Sequence, residues 1–320
     1  NVGTISVKVT ATDGSSTSVY DTFDITVVNV NDAPTVANAI PDQVGTQGTS
    51  YTLTLPSNTF SDVDSGDTLT YSATLADGSA LPSWISFDAS TGTFSGTPSN
   101  SNVGSFTVKI IATDSGGLSV SDEVLVTVNN INDAPTVETS LPDKSVAQGA
   151  NFSYQFHSNT FNDVDSGDSL TYTATLSDGS SLPSWLSFAT ATRTFSGTPA
   201  NADVGTISVK LTATDGSGAS VSDTFDISVA NVNDAPTVAN TISNQSATED
   251  SAFSFQFAAN TFNDVDSGDS LTYTATLADG SSLPSWLSFD AGTRTFSGTP
   301  ENGNVGTISV KVTATDGSSA

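Results

Sequence analysis

The stretch "DVDSGDTLTYSATLADGSALPSWISFDASTGTFSGTP", residues 62–98, decides the fold. Apolar residues alternate with polar ones over 69–75, which is the period of a half-buried β-strand. Asp-Gly at 77–78 and Thr-Gly at 91–92 are tight-turn signals, and a short apolar run begins at Trp84 between them. Because no helical periodicity accompanies this pattern, the stretch predicts an all-β fold.

The same stretch recurs along the chain at a constant step of 101 residues. The repeated positions include the tryptophans Trp84, Trp185 and Trp286, and the aspartates Asp32, Asp133 and Asp234 of the phrase "NDAPTV". Breaks are expected at the Ala-Pro pairs, because Pro cannot join a central ladder and keeps its neighbour extended. The predicted domains are the C-terminal part of a truncated unit at 1–34, whole units at 35–135 and 136–236, and a unit lacking its last strand at 237–320.

Each whole repeat is predicted to contain seven antiparallel strands that alternate in direction. In the unit 35–135 they lie near 42–47, 51–55, 69–75, 84–87, 94, 108–112 and 124–128. Seven short strands in about 100 residues are typical of an immunoglobulin-like Greek-key sandwich. The sequence therefore predicts a linear array of such sandwiches. We interpret Trp84 and its copies as core residues rather than as sugar-stacking surfaces.

Composition excludes several classes of partner. Seven Lys and Arg stand against 34 Asp and Glu, and the net charge of −27 rules out nucleic acid or an anionic membrane as the natural partner. No apolar run approaches the roughly 18 residues of a membrane span, so no membrane insertion is expected. Cysteine is absent, so neither disulfides nor thiolate metal sites exist. This composition suits an exported bacterial surface protein in which a hard metal ion stabilises the chain.

The alternation of strand directions predicts that acidic segments meet at one pole of each repeat. The loop after the second strand, the loop after the sixth strand and the incoming linker all lie at that pole. We call this set the acidic pole. Its residues are Asn31, Asp32, Asp62, Asp64, Asp67 and Asp114; then Asn132, Asp133, Asp163, Asp165, Asp168 and Asp215; then Asn233, Asp234, Asp264, Asp266, Asp269 and Asp316.

Such a cluster needs a counter-charge, and no Lys or Arg occurs in these loops. Several hard oxygen ligands, mixed between carboxylate and carbonyl, are what Ca²⁺ prefers, whereas Mg²⁺ demands stricter octahedral geometry. The acidic pole is therefore predicted to bind Ca²⁺. The alternative, that aspartate only forms turns and keeps the surface soluble, suits an isolated Asp-Gly better than a spaced set that recurs three times.

Several motifs resemble a known family. "NVNDAP" at 29–34, with its copies at 130–135 and 231–236, resembles the cadherin linker, and "DVD" resembles the cadherin Asp-x-Asp loop. "LPSWISFDASTGTFSGTP" at 81–98 resembles the dystroglycan-type cadherin-like domains, also called putative Ig domains, of large bacterial surface adhesins. The resemblance implies that calcium binds between successive domains. The implied ligands are Asn31, Asp32, Asp62, Asp64 and Asp114, with their copies.

The chain departs from the cadherin pattern in two ways. The first linker position is Asn29 where cadherins usually have Asp. The glutamate of the first strand is present only as Glu249, with Gln47 and Gln148 in the other repeats. We therefore expect fewer ions at each junction than cadherins hold.

Catalysis is not expected. The single histidine, His157, has no copy in the other repeats, and no Gly-x-Ser-x-Gly motif occurs. Two functions from different classes remain. The first is a calcium-stiffened extracellular stalk or filament of a bacterial surface adhesin. Its partners would be neighbouring repeats, other copies in a fibre, and a cell-surface or polysaccharide ligand. The second is a carbohydrate-binding repeat array attached to a secreted polysaccharide-degrading enzyme.

The two ends carry a further expectation. Residues 1–16 and 304–319 are identical, which predicts a segment cut from a much longer array. The alternative is strand exchange, in which residues 17–33 of one molecule complete the last repeat of another.

Overall fold

The computed structural model describes residues 3–317, and it divides the chain into two compact units. The first unit comprises residues 1–133 with 164–168, and the second comprises 134–163 with 169–320. The described residues form β-strands joined by turns and by short 3-10 helices. These helices are Asn100–Asn102, Thr190–Thr192, Asn201–Asp203 and Asn302–Asn304.

The first unit contains the strands β1 to β11. They are β1 Gly3–Thr12, β2 Ser18–Val27, β3 Thr35–Val36, β4 Gln43–Thr46, β5 Tyr51–Thr54, β6 Phe60–Ser61, β7 Thr70–Leu75, β8 Ile85–Asp88, β9 Thr93–Gly96, β10 Gly104–Thr113 and β11 Ser119–Asn129. β1 and β2 form an antiparallel hairpin. The others form a four-stranded sheet ordered β4-β11-β10-β7, a three-stranded sheet ordered β5-β9-β8 and the short pair β3-β6.

The two larger sheets contain the seven strands predicted for this repeat, at the predicted places. One expectation is wrong: pairing is not antiparallel throughout, because β4 pairs with β11 in parallel. The alternation of directions explains this, since the first and seventh strands run the same way and become neighbours in the sheet. The short pair β3-β6 is an addition that the alternation of apolar residues does not reveal.

The second unit contains β12 to β27. They are β12 Thr136–Val137, β13 Lys144–Ala147, β14 Phe152–Gln155, β15 Phe161–Asn162, β16 Thr171–Leu176, β17 Leu186–Ala189, β18 Thr194–Gly197, β19 Gly205–Thr214, β20 Ser220–Ala230, β21 Thr237–Val238, β22 Phe253–Gln256, β23 Phe262–Asn263, β24 Thr272–Leu277, β25 Leu287–Asp290, β26 Thr295–Gly298 and β27 Val310–Thr315. Sheets β13-β20-β19-β16 and β14-β18-β17 repeat the pattern of the first unit, and β22-β26-β25 repeats its three-stranded sheet.

The core forms where the alternating apolar residues of two sheets face each other. On β10, Val108, Ile110 and Ala112 are 2%, 1% and 0% exposed, as the alternation predicts. Half-buried Trp84 packs edge-on against Tyr51 and Phe106, with ring centroids 6.1 and 6.0 Å away. The tryptophan is therefore a core residue. Among the described residues, no helix is both long and apolar enough to span a membrane.

Strand register explains why distant segments meet at the acidic pole. Thr70 pairs with Thr113, so the acidic loop before β7 lies beside Asp114, which follows β10. The pairing of Thr35 with Ser61 brings the incoming linker to the start of the same loop. The equivalent pairs recur in the later repeats, as Thr171 with Thr214, Thr136 with Asn162, Thr272 with Thr315, and Thr237 with Asn263.

Candidate metal centre

The first acidic pole brings three predicted carboxylates into one cluster. Asp62, Asp67 and Asp114 each offer an oxygen, and these oxygens lie within 4.8 Å of one another. Asp62 and Asp67 come from the loop before β7, whereas Asp114 follows β10, 47 positions after Asp67. The cluster therefore exists only in the folded sandwich.

The linker reaches this cluster through two hydrogen bonds. The Asn31 side-chain amide donates to Asp114 Oδ2 at 3.0 Å, and the Asp32 backbone N–H donates to Asp64 Oδ2 at 2.8 Å. Within the loop, the Asp64 N–H donates to Asp62 Oδ1 at 2.8 Å. Asp64 therefore fixes the linker and the loop to each other. Its carboxylate is not one of the three that meet.

Two carboxylate oxygens in the cluster are buried and accept no hydrogen bond. They are Asp62 Oδ2 and Asp67 Oδ2. The other oxygen of Asp67 accepts from the Ser115 hydroxyl at 2.6 Å. A buried carboxylate oxygen without a donor is costly, and a cation is a partner that removes this cost.

The pKa of Asp114 shows how the fold keeps that carboxylate charged. Burial alone raises its pKa, but the Asn31 amide and the backbone N–H groups of Leu118, Gly117 and Gly116 outweigh burial and lower it. The ionised form is the one that can bind a metal ion. Asp114 is only 5% exposed.

The third acidic pole, inside the second unit, also contains three clustered carboxylates, but all three come from one loop. Asp264, Asp266 and Asp269 cluster within the same 4.8 Å limit, and Asp264 Oδ2 is buried without a hydrogen-bond donor. The Asn233 amide donates to Asp316 Oδ2 at 3.1 Å. Burial, and then the charges of Asp264, Asp266 and Asp316, raise the pKa of Asp269. Like charges therefore crowd this site.

The middle acidic pole contains the same residue types. Its loop carries Asp163, Asp165 and Asp168. Asp215 is 5% exposed and accepts from the Ser217 and Ala219 backbone N–H groups at 2.9 and 2.8 Å.

The carboxylates of the linker aspartates accept hydrogen bonds from glutamine side chains. Asp133 Oδ2 accepts from the side-chain amide of Gln47 at 2.8 Å, and the Asp133 N–H donates to Asp165 Oδ2 at 2.7 Å. The Asn132 amide donates to the Asp133 carbonyl at 3.1 Å. Asp234 likewise accepts from Gln148 at 2.8 Å. The amide partners were not predicted from the sequence, and a ligand role of Asp133 and Asp234 stays a prediction.

The donor set fits a hard divalent cation. In the first pole it offers carboxylate oxygens from two loops, two of them buried without donors, and the clustered residues of both poles are all aspartates. Calcium accepts such irregular oxygen sets. Asp62, Asp67 and Asp114 would hold the ion in the first pole, and Asp264, Asp266 and Asp269 in the third.

Sequence reasoning missed the side chains that contact the cluster from other segments. Ser115, Asn100 and Asn201 are the main ones, and Gln47 and Gln148 were noted only as departures from glutamate. The repeat step was the available signal, because Asn100, Asn201 and Asn302 recur at 101 residues.

Tandem β-sandwiches with an acidic pole in each repeat define an immunoglobulin-like, cadherin-like repeat region. The chain belongs to the family described as "Putative Ig domain", whose model matches residues 33–129, 134–230 and 235–320.

A curated relative is the serine-rich adhesin for platelets of Staphylococcus aureus strain USA300. It is 30% identical over 223 residues, which are 68% of this chain and 9% of the adhesin. This region is thus similar to part of a bacterial surface adhesin, and the chain spans a small fraction of that relative's length.

Two solved structures share the fold. Mouse cadherin-23 EC22-24 has a TM-score of 0.54 at 19% identity, covering 90% of this chain and 94% of that one. Protocadherin gamma B2 extracellular domains 1-5 have a TM-score of 0.56 at 16% identity, covering 98% of this chain and 65% of that one.

Proposed function

We propose that this chain is a calcium-stiffened, non-catalytic repeat segment of an extracellular bacterial adhesin or fibre. It would hold an adhesive region away from the cell surface, with one sandwich domain in each 101-residue repeat. The observation that carries the proposal is the pair of buried oxygens, Asp62 Oδ2 and Asp67 Oδ2, that lack donors inside a carboxylate cluster. Similarity to a part of the staphylococcal adhesin supports the cell-surface setting.

The mechanism follows from where the ligands originate. The clustered carboxylates lie in loops of one repeat, while the linker that enters it is bound to the same loops through Asn31 and Asp32. A cation at the cluster removes the repulsion between the carboxylates and therefore keeps the loops close to the linker. Without the cation, like charges favour opening of this pole, and the joint between repeats loosens.

Calcium titration of the full chain tests the proposal. Extracellular calcium modules bind with dissociation constants of roughly 10⁻⁴–10⁻³ M. At about 10 mM calcium, each site would then stabilise the fold by about 1.4–2.7 kcal/mol through mass action. We expect the melting temperature and the maximum dimension in small-angle scattering to rise with calcium and fall in chelator.

A matched pair of variants makes the test specific to the site. Asp67→Asn removes a clustered carboxylate and should weaken calcium binding. Asp77→Asn removes the same charge from an exposed Asp-Gly turn, where Asp77 accepts from the N–H and the hydroxyl of Ser79, and should leave binding unchanged. Equal losses in the two variants would mean that only net charge matters. No response of the wild type to calcium would overturn the proposal.

A further inference from the structure

Four residues of the second unit form a closed hydrogen-bonded ring, through side chains and one backbone N–H, where the repeat 136–236 meets the next repeat. The Gln148 amide donates to Asp234 Oδ2 at 2.8 Å, and the Asn201 amide donates to Asp266 Oδ1 at 2.9 Å. The Asp234 N–H donates to Asp266 Oδ2 at 2.6 Å. Asn201 Nδ2 lies 3.5 Å from Gln148 Oε1 and closes the ring. We name this ring the amide clasp.

The ring fixes which way each amide faces. Gln148 Nε2 faces a carboxylate, while Gln148 Oε1 accepts from the Val232 backbone N–H at 3.4 Å. Only a neutral amide can donate at one end and accept at the other, whereas an ionised glutamate can only accept. The Gln148 backbone is itself held, because its N–H donates to the Ala230 carbonyl at 2.9 Å. The glutamine is therefore placed before any ligand binds.

Three of the four links of the ring recur inside the first unit at the repeat step, while the other contact of the Asn100 amide is with Asp133 Oδ2 at 3.4 Å. Gln47 donates to Asp133 at 2.8 Å and accepts from the Ile131 N–H at 3.2 Å, and Asn100 donates to Asp165 at 2.6 Å. Asp165 and Asp266 are each 5% exposed. Recurrence of the same donors and acceptors at the repeat step indicates that these hydrogen bonds are a regular feature of the joint.

We propose that the amide clasp is a metal-independent lock between the repeats 136–236 and 237–320, with Gln148 and Asn201 as its positioning residues. Each amide donates to a carboxylate of the linker or of the next repeat, so the joint loosens only partly when no cation is bound. Hydrogen bonds to charged acceptors are stronger than neutral ones, which suits them to this task. The lock goes beyond calcium stiffening because it needs no cation.

The absence of cysteine allows a direct test in the whole chain. Ser184→Cys and Ser285→Cys place spin labels at equivalent exposed positions of two successive repeats. In excess chelator, the distance distribution between the labels should show one narrow peak, somewhat broader than the peak with calcium. Gln148→Ala and Asn201→Ala should lose that peak. Gln148→Glu should lose it too, because it places a carboxylate against Asp234 and reproduces the residue that the chain carries at Glu249.

Gln155→Ala is the control. Gln155 is also a glutamine on the surface of this repeat, but its amide donates to the Thr192 carbonyl of the same repeat at 2.7 Å. This variant should keep the narrow peak. Circular dichroism of each variant establishes that the sandwiches remain folded. If Gln148→Ala unfolds, the distance distribution of Gln148→Glu decides the test, because glutamate keeps the size of the side chain.

A broad wild-type distribution in chelator would overturn the clasp, and so would a narrow one in Gln148→Glu. Addition of calcium then separates the two proposals. If calcium changes nothing while the variants differ from the wild type, calcium stiffening is wrong and the clasp stands. If only calcium narrows the distributions, whichever residue occupies position 148, the clasp is wrong.

Discussion

Gly197→Ala tests how closely the strands of a repeat approach one another. A Cβ at Gly197 would lie 1.7 Å from the Trp185 carbonyl oxygen and 2.8 Å from its carbonyl carbon. Real Cβ atoms essentially never come closer than 3.0 Å to another heavy atom. The Trp185 backbone must therefore retreat by more than 1 Å. Because β18 is the central strand of its sheet, Gly197 pairs with Leu186 on one side and Phe152 on the other.

The expected cost combines two effects. Overpacking costs typically about 1–3 kcal/mol, and weakening of a ladder hydrogen bond adds about 1 kcal/mol. We expect Gly197→Ala to lower the free energy of unfolding of this repeat by about 2–4 kcal/mol. Urea denaturation followed by tryptophan fluorescence measures it, because each repeat from residue 35 onward carries one tryptophan and only the Trp185 transition should shift.

Gly303→Ala is the matched control. Its Cβ meets nothing within 4 Å, and its backbone does not need a positive φ. We expect a change of no more than about 1 kcal/mol, in the stabilising direction if any, since alanine restricts the unfolded chain. Equal effects of the two substitutions would refute the close-approach argument.

Two further predictions concern protonation. Asp269→Asn should raise the melting temperature in chelator at neutral pH, because burial and neighbouring carboxylates raise the pKa of Asp269 and disfavour its charge. This gain in melting temperature should shrink as pH falls through the raised pKa, because wild-type Asp269 is then protonated and as neutral as asparagine. An unchanged melting temperature at neutral pH would contradict the crowding of charges. Asp178→Ala should lower the melting temperature, because the Ser180 hydroxyl and N–H hold the pKa of Asp178 below its usual range. The loss in melting temperature should be full above the pKa that Asp178 has in the unfolded chain, and it should vanish as pH falls through the lower pKa of the folded state. A loss that persists in strong acid would indicate a packing effect instead.

The conformation of the hairpin turn between β8 and β9 depends both on the local sequence and on the strands that the turn joins. Gly92 adopts a φ of 63° there, as its Thr-Gly signal predicts. Arg193 and Arg294 occupy the equivalent turn in later repeats with φ of 55° and 57°. The left-handed conformation is therefore imposed by the two strands that the turn joins, even where the residue does not favour it.

Sequence alone determined the repeat, the seven strands and the inward faces. These follow from local periodicity, since alternation of Val108, Ile110 and Ala112 with polar residues can bury only one face of a strand. It also placed the acidic loops at one pole, because strand direction alternates. The set Asp62, Asp67 and Asp114 was thus among the predicted residues before any distance was known.

Only the tertiary structure decided which oxygens meet and which are already occupied. In the sequence, Asp133 in a linker and Asp62 in a loop are equally plausible ligands. In the structure, the side-chain amide of Gln47 donates to Asp133, whereas Asp62 keeps a buried oxygen without a donor. Gln47 and Asp133 are 86 positions apart. Their contact depends on the parallel pairing of β4 with β11, which places the end of β4 beside the linker that follows β11. Such non-local hydrogen bonds leave no period in the sequence, because they are set by strand order and register rather than by neighbouring residues.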